Sequence, residues 1–565
     1  MEKRTVLAII LCIAVWLIWQ FLFIDPDAHR QQQARPVDGA VASSDGGTTS
    51  QPVIATKTDT KTEAPAERPE EVLVVLKTDQ YEATWSSQGG GLKAFTLFEY
   101  KERDEKKTRG ELKPENLIST QDERSRTSVI RFRAEKTDFR LPEYTDWEVV
   151  NQTETTVSFR YTAASEDNNV IITKTYSIMP EPYTLDLDIE IQNQSDNSLN
   201  EQIILDSYAT YKHIESSGCM GAPAAPRTPM CFSNDELVNI EPKPGSAANS
   251  EPHVFWTGIN EQYFLVAMVP IGVEKAVCKL EAGQKGIMTA SLMYPQSVIP
   301  PGGSVMHNFK LFIGPKRMDL LKQVKGGVGS KTQEAGLSES VDYGWFSFLC
   351  HPMLWLLKVF FSLVGNYGVA IIFLTIVVKL ILLPLNQKSM KSMKEMSKLK
   401  PMMDDLKKKY PDDKQKLNQE MMAMYKTNKI NPMGGCFPML LQMPIWIALY
   451  RMLYSSVELY QTTFIRGWID DMSFRDPYYI MPIVLGATMF LQQKLSPTSA
   501  DSQQAKMMMY AMPVFFTFIM LYLPAGLVLY IFVNSLLSIG HQLVYNRMTG
   551  PPGAPGPKTK EAKAT

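Results

Sequence analysis

Acidic residues are missing from the longest apolar stretches of this 565-residue chain: residues 5–24, 363–385, 433–455, 478–495 and 507–545 contain no Asp or Glu. A cation placed in such a stretch has no permanent counter-charge within it. Cysteine is scarce as well. Six cysteines exclude a dense disulfide scaffold, although Cys219 and Cys231 lie close enough in sequence to pair outside the cytoplasm, which would leave Cys278 over. No G-x-x-x-x-G-K-[ST] loop is present, so no nucleotide site of that kind is encoded. Between residues 72 and 325 there is no metal-ligand spacing and no nucleophile elbow. A pair of positioned carboxylates for carbohydrate cleavage can be neither read nor excluded there.

The averages of 45% hydrophobic residues, 21% charged residues and a net charge of -1 hide a strong segregation. Two basic residues precede the apolar run 5–24, about 20 positions or roughly 30 Å of helix. A cleaved leader needs small residues just past that run, but Asp25-Pro26-Asp27 follows, and Ala40-Val41-Ala42 lies too far downstream. The pattern favours an uncleaved anchor over 1–24 with its N-terminus inside. Residues 25–71 hold hardly any large apolar side chains and read as a disordered linker.

From residue 72 to 325 short alternating runs dominate. Leu185, Leu187, Ile189 and Ile191 alternate with Asp186, Asp188 and Glu190, and Val157, Phe159 and Tyr161 follow the same period, which puts apolar groups on one strand face. Turn clusters such as Gln88-Gly89-Gly90-Gly91 separate the runs, and the sum predicts an all-β sandwich. Residues 326–350 read as a connector with an interfacial helix. Just before it, residues 318–324 could form a short helix that the glycines Gly326, Gly327 and Gly329 would break, and within it Tyr343, Trp345 and Phe346 have the aromatic mixture of a lipid boundary.

Residues 351–547 read as a core of five spans. Residues 507–545 are nearly twice the length of one crossing, and Leu523-Pro524-Ala525-Gly526 splits them into two helices. With the anchor, this is an α-helical bundle of six spans, and both termini return to the cytoplasm. The charges agree: the loop 386–432 holds twelve Lys against six Asp or Glu, and the tail 548–565 is basic. The predicted outside loop 456–477 has only Arg466 and Arg475 as basic residues.

Lys379 is the most informative residue, because an ammonium in hydrocarbon is expensive on any scale. Either it snorkels to the cytoplasmic interface or it faces a wet groove. Thr375 lies one turn before it, Tyr530, Asn534, Ser538 and Gln542 recur every four residues in the last span, and Gln442 is mid-span. These polar groups line one groove with Lys379, or they are interhelical packing bonds. In the cytoplasmic loop, residues 388–409 and 414–429 predict an antiparallel hairpin broken at Tyr410-Pro411-Asp412-Asp413. Met390, Met393 and Met396 recur at helical spacing, either as the hairpin's seam or as a soft surface for varied apolar sequences. The loop's lysines form a solvated face that also suits anionic lipid or ribosomal RNA.

The chain resembles the YidC insertases of Gram-negative bacteria, relatives of the Oxa and Albino proteins. The likeness rests on Val341-Asp342-Tyr343-Gly344-Trp345, Val364-Gly365-Asn366-Tyr367-Gly368, Asn431-Pro432-Met433-Gly434-Gly435-Cys436-Phe437-Pro438 and Leu441-Gln442-Met443-Pro444-Ile445. It continues through Asp476-Pro477-Tyr478-Tyr479-Ile480 and Pro524-Ala525-Gly526-Leu527-Val528-Leu529-Tyr530. The resemblance implies a multi-pass inner-membrane insertase and chaperone, not an enzyme and without cofactor or metal, with a periplasmic β-sandwich. Its implied partners are nascent membrane proteins, the Sec translocon, the ribosome and the lipid bilayer. It also implies a hydrophilic groove with a central positive charge at the position of Lys379, where many members carry Arg; Lys lacks Arg's planar fork. Candidate groove contacts are then Lys379, Thr375, Gln442, Tyr530, Asn534 and Ser538, with Met390, Met393 and Met396 as hairpin contacts. Two other classes remain open to the sequence: a solute transporter, whose usual inverted repeats are not seen, and a membrane-tethered carbohydrate enzyme.

Overall fold

The computed structural model describes residues 68–102, 112–164, 169–211, 227–283, 286–328, 331–411, 413–428, 437–495 and 503–549. The expected anchor over 1–24, nearly all of the linker, Cys219, the motif residues 431–436 and the tail from 550 lie outside the described residues.

Strands occupy the chain from Leu73 to Glu334. The largest sheet has eleven strands, with Phe264–Ile271, Ser304–Pro315 and Thr184–Asn193 adjacent near its middle. Leu187 pairs with Phe309 and Leu185 with Leu311 across the central antiparallel ladder. The alternation read from sequence holds: Leu185, Leu187, Ile189 and Ile191 are fully buried, as are Val157 and Phe159 on the strand Thr156–Ala164. A five-stranded sheet containing Val277–Ala282, Ile287–Met293 and Ile203–Thr210 packs against the large one, and a four-stranded sheet begins at Leu73–Lys77. The ladder continues through the connector. Lys325–Val328 and Lys331–Glu334 form a hairpin joined to the large sheet at Ile271, so Gly326 and Gly327, expected to end a helix, sit in a strand. At Gly326 a side chain would collide with Val269, its Cβ falling 2.8 Å from the Cγ1 atom.

The disulfide corrects the sequence reading. Cys231, on Thr228–Ser233 of the large sheet, is bonded to Cys278, on Val277–Ala282 of the facing sheet, and both are fully buried. Proximity along the chain favoured Cys219 as the partner of Cys231, but pairing depends on where Cβ atoms meet, and these strands face each other across the core.

Lys174 is a second feature that the sequence did not announce. On Asn169–Ile178 it takes an inward position beside Tyr176, and it is fully buried. Its ammonium donates to the carbonyls of Gly90 and Ser128 and sits 5.0 Å from the Trp147 ring centroid, so it ties two loops to the sheet. Burial lowers its pKa to about 7. Between about pH 7 and 10 the unfolded chain therefore holds a proton at this position that the folded domain lacks, and stability should rise with pH in that window. The slope from this group approaches about 1.4 kcal/mol per pH unit. Lys316, lowered to about 8 by burial, acts in the same direction. Urea unfolding of the β-domain at pH 7, 8 and 9, followed by tryptophan fluorescence, checks the rise, and Lys174→Met should flatten it.

The helical region begins after Tyr343. Its described helices are α1 (Ser347–Val364), α2 (Tyr367–Ile381), α3 (Leu383–Lys398), α4 (Lys400–Lys409) and α5 (Lys414–Thr427). They continue with α6 (Phe437–Ser455), α7 (Ile480–Leu495), α8 (Gln503–Met520) and α9 (Ala525–Thr549). The turn expected at Leu523-Pro524-Ala525-Gly526 does separate α8 from α9, and it is held from outside: Ala525 N and Gly526 N donate to the carbonyls of Phe474 and Met472. Among the described residues, Gly344–Val364 and Ala525–Met548 are each long and apolar enough to cross a membrane; the pair α2 and α3, bent by 60°, adds a third candidate if read as one span. The first core span expected over 363–385 begins instead at Tyr367. Gly365, at φ 67°, ends α1 in the left-handed conformation glycine tolerates, and the Asn366 side chain caps α2 by accepting from Val369 N at 3.1 Å.

The β-domain and the helices share a built contact. The carboxamide of Gln461 accepts from Lys101 N (2.9 Å) and donates to Lys101 O (2.7 Å), pairing with that residue as a neighbouring strand would. Tyr460 adds a bond to the same carbonyl, and its ring packs against Tyr263 and Phe264. Lys358, past the middle of α1, bridges Asp319 of the β-domain (3.6 Å) and Glu458 of the loop after α6 (2.8 Å).

Candidate functional site

Lys379 is placed in the last turn of α2 by an apolar helix whose other face, with Ile371, Leu374 and Val378, is buried in the bundle. Its Nζ turns toward α9, donating to Ser538 Oγ (2.6 Å) and Asn534 Oδ1 (3.2 Å). The Ser538 hydroxyl in turn donates to the Asn534 carbonyl at 2.7 Å, which leaves its lone pairs for the ammonium. Both acceptors are neutral. The hydrogen bonds satisfy geometry and leave the charge uncompensated.

A cavity of about 460 Å³ opens around this cluster. Its lining combines polar groups, Lys379, Asn534, Ser538 and Gln442 among them, with apolar ones, Met443, Trp446, Met489, Phe516 and Met520 among them. The described lining residues include no Asp or Glu, whereas Lys379, Lys394 and His541 are all basic. The charged groups among the described lining residues are thus of one sign, set among methionine and aromatic side chains. Among the described residues, no group of three or more His, Cys, Asp or Glu is positioned to hold a metal.

The expected groove residues separate into two sets. Lys379, Gln442, Asn534 and Ser538 meet at the cavity. Thr375 and Tyr530 are buried away from its wall: the Thr375 hydroxyl donates to Ile371 O of its own helix at 2.7 Å, and the Tyr530 hydroxyl has no hydrogen-bond partner among the described residues. The Thr375 bond stays within α2 and does not reach another helix, since a threonine one turn from its acceptor satisfies itself. Gln542 also reaches the cavity while its amide donates to Leu495 O, closing the end of α7.

The methionine stripe divides in the same way. Met390 and Met393 line the cavity, but Met396 does not. The hairpin seam is made further along, between α4 and α5, by Leu399, Met403 and Met424 with Leu406, Met421 and Tyr425. The first arm of the predicted hairpin is therefore two helices broken at Leu399, and the second of them pairs with α5. Asn386 and Ser389 also line the cavity, and they share a helical face with Met390 and Met393 at spacings of three and four residues, a signal present in the sequence. His541, Trp446 and Gln492 carried no signal in the sequence that separated them from packing residues.

Comparison with known proteins decides the family. Residues 359–551 match the model described as 60Kd inner membrane protein, and residues 73–356 match the YidC periplasmic domain. The membrane protein insertase YidC of Syntrophus aciditrophicus is 35% identical over 562 residues, covering 97% of this chain and all of that protein. The chain belongs to the YidC insertase family. The YidC of Geotalea daltonii is similarly close, at 34% identity over 557 residues, with 97% of this chain and 99% of that protein covered. A solved YidC insertase with its first transmembrane domain resolved overlaps 85% of this chain and 93% of its own at 19% identity and a TM-score of 0.36. As a YidC protein the chain is a membrane protein insertase of a non-catalytic family, located in the inner membrane with a large periplasmic domain, and its substrates are membrane proteins.

Proposed function

We propose that this YidC protein inserts its substrates through the cavity at Lys379, which takes up the hydrophilic, often acidic end of an incoming segment while the apolar helix slides past the methionine and aromatic wall into lipid. The carrying observation is the ammonium of Lys379, held by neutral Asn534 and Ser538 beside a chamber whose described lining residues include no carboxylate. A carboxylate at 4 Å from an ammonium is attracted by about 4 kcal/mol at an effective dielectric near 20, against about 1 kcal/mol in bulk water. Transfer of the apolar helix into the bilayer supplies the rest of the driving force.

The membrane arrangement that fits this reading has six spans, formed by an anchor in residues 5–24 and by α2, α6, α7, α8 and α9. Helix α1 then lies at the periplasmic interface. Its length would permit a crossing, yet Lys358 in its second half is tied to Asp319 of the β-domain and to Glu458, and ion pairs with external groups do not suit a hydrocarbon midplane. Trp345, Phe348 and Trp355 are more than 60% exposed and would rest in the headgroup region. Both termini, α3 and the hairpin of α4 and α5 are then cytoplasmic, where the twelve lysines of residues 386–432 face anionic lipid and the ribosome. Cooperation with the Sec translocon follows the same logic, since the bundle can receive a helix sideways from a neighbouring channel.

The test is insertion by the purified chain in liposomes of a single-span substrate with a short acidic translocated tail, read by protease protection of that tail. Protection at the level of protein-free liposomes would overturn the proposal.

A further inference from the structure

We infer that Asn386 is a second specificity-determining residue of the groove: its carboxamide donates a hydrogen bond to a side-chain oxygen of the incoming segment and so favours polar ends, charged or not. The inference rests on the groove reading above and deepens it.

Asn386 stands in the first turn of α3, just past the 60° bend between α2 and α3, and its side chain lines the same cavity as Lys379. Its main-chain N–H is spent on Leu382 O at 3.0 Å. Its side-chain donor is not spent: Nδ2 is buried and has no hydrogen-bond partner among the described residues. Of the buried side-chain polar atoms left in that state, it is the one carried by a cavity-lining residue. An unmade buried donor is costly, and native structures keep few of them without a use. Helix stability does not account for it, since Asn is a weak helix former away from an N-cap. Such a donor takes its acceptor from what enters the cavity. The incoming helix brings main-chain oxygens already bonded to its own N–H groups, whereas Asp, Glu, Asn and Gln side chains at its hydrophilic end bring oxygens that are not. Lys379 complements this with charge. Two of its three N–H groups go to Asn534 and Ser538, so one is left for a substrate oxygen. The ammonium selects carboxylates over carboxamides, while the neutral donor of Asn386 serves both. One net hydrogen bond of this kind changes preference about five-fold, or about 1 kcal/mol at 1.4 kcal/mol per tenfold.

The experiment uses the full-length chain in liposomes and single-span substrates whose translocated tails differ at two positions, both Asp, both Asn or both Ala. Protease-protected yields are expressed relative to the Ala tail. Asn386→Leu, which removes the donor at similar side-chain volume, should lower the relative yields of the Asp and Asn tails alike, each about five-fold. Asn386→Gln, which retains a donor, should keep most of both. Lys379→Ala should instead lower the Asp tail far more than the Asn tail. A merely structural role for Asn386 would depress all three tails in proportion, and unchanged relative yields in Asn386→Leu would overturn the inference while leaving the groove standing. So would a fall confined to the Asp tail, which would mean that the residue acts on charge through Lys379. If Lys379→Ala leaves the relative yield of the Asp tail where it was, the groove reading falls and takes this inference with it.

Discussion

Lys379→Glu should reduce insertion of a substrate with an acidic translocated end by ten-fold or more, the largest functional effect expected from any single substitution in the chain. The change puts a carboxylate where Asn534 Oδ1 and Ser538 Oγ now accept hydrogen bonds from an ammonium. Attraction then becomes repulsion inside a chamber whose low effective dielectric strengthens both. A ten-fold loss corresponds to about 1.4 kcal/mol, well below the several kcal/mol such a reversal can supply, so ten-fold is the lower end. Lys379→Ala should fall in between, and Lys379→Arg should be tolerated, because the guanidinium restores the charge and can donate to both acceptors. Substrates with uncharged tails should be affected least. Protease-protected yield across charged and uncharged tails measures all of this at once, and equal insertion of an acidic tail by the wild-type and Glu variants would sink the proposed role.

The second large effect is on stability. The bond between Cys231 and Cys278 closes a loop of 47 residues across two sheets. A cross-link of that span restricts the unfolded chain by an amount worth ~4 kcal/mol. The paired replacement of Cys231 and Cys278 by Ser should therefore lower the unfolding free energy of the β-domain by about that much, a large share of the typical 5–15 kcal/mol. Urea unfolding of the oxidised wild-type chain and of the double variant compares them. A difference below about 1 kcal/mol would show that the loop is already ordered in the unfolded ensemble.

How much of this was legible beforehand depended on whether the signal was local. The alternation around Leu187 needs only neighbours two residues apart, and the strand and its buried face follow directly. Gly365-Asn366 is also a local signal: a left-handed helix end followed by a capping Asn marks the boundary between α1 and α2 better than hydropathy, which runs through both. Hydropathy also cannot tell an interfacial helix from a crossing one. The proposal that α1 lies at the interface rests on the ion pairing of Lys358 with Asp319, a contact set by tertiary structure.

Long-range pairings were out of reach for the same reason. Cys231 has a near neighbour in sequence and a different partner in space, and Lys174 is an ordinary strand residue until Gly90 and Ser128 close over it. At the groove, Lys379 stood out because no apolar span offered it an acid, and Asn534 and Ser538 because they repeat every four residues. That same spacing also swept in Tyr530, which the helix turns into the packed interior. Periodicity identifies a face, and only the packing of neighbouring helices decides whether the face is wet.

Water at Lys379 is the claim on which the mechanism depends. The direct measurement is labelling of Asn534→Cys and Ser538→Cys by a membrane-impermeant, charged thiol reagent added from the cytoplasmic side, in a chain whose other free cysteines are replaced by Ser. Rapid labelling at both positions, slowed by a bound substrate with an acidic tail, is the predicted result. Labelling at both no faster than at a lipid-facing position of α9 such as Leu536 would mean that the bundle is dry around the lysine, and it would contradict the account.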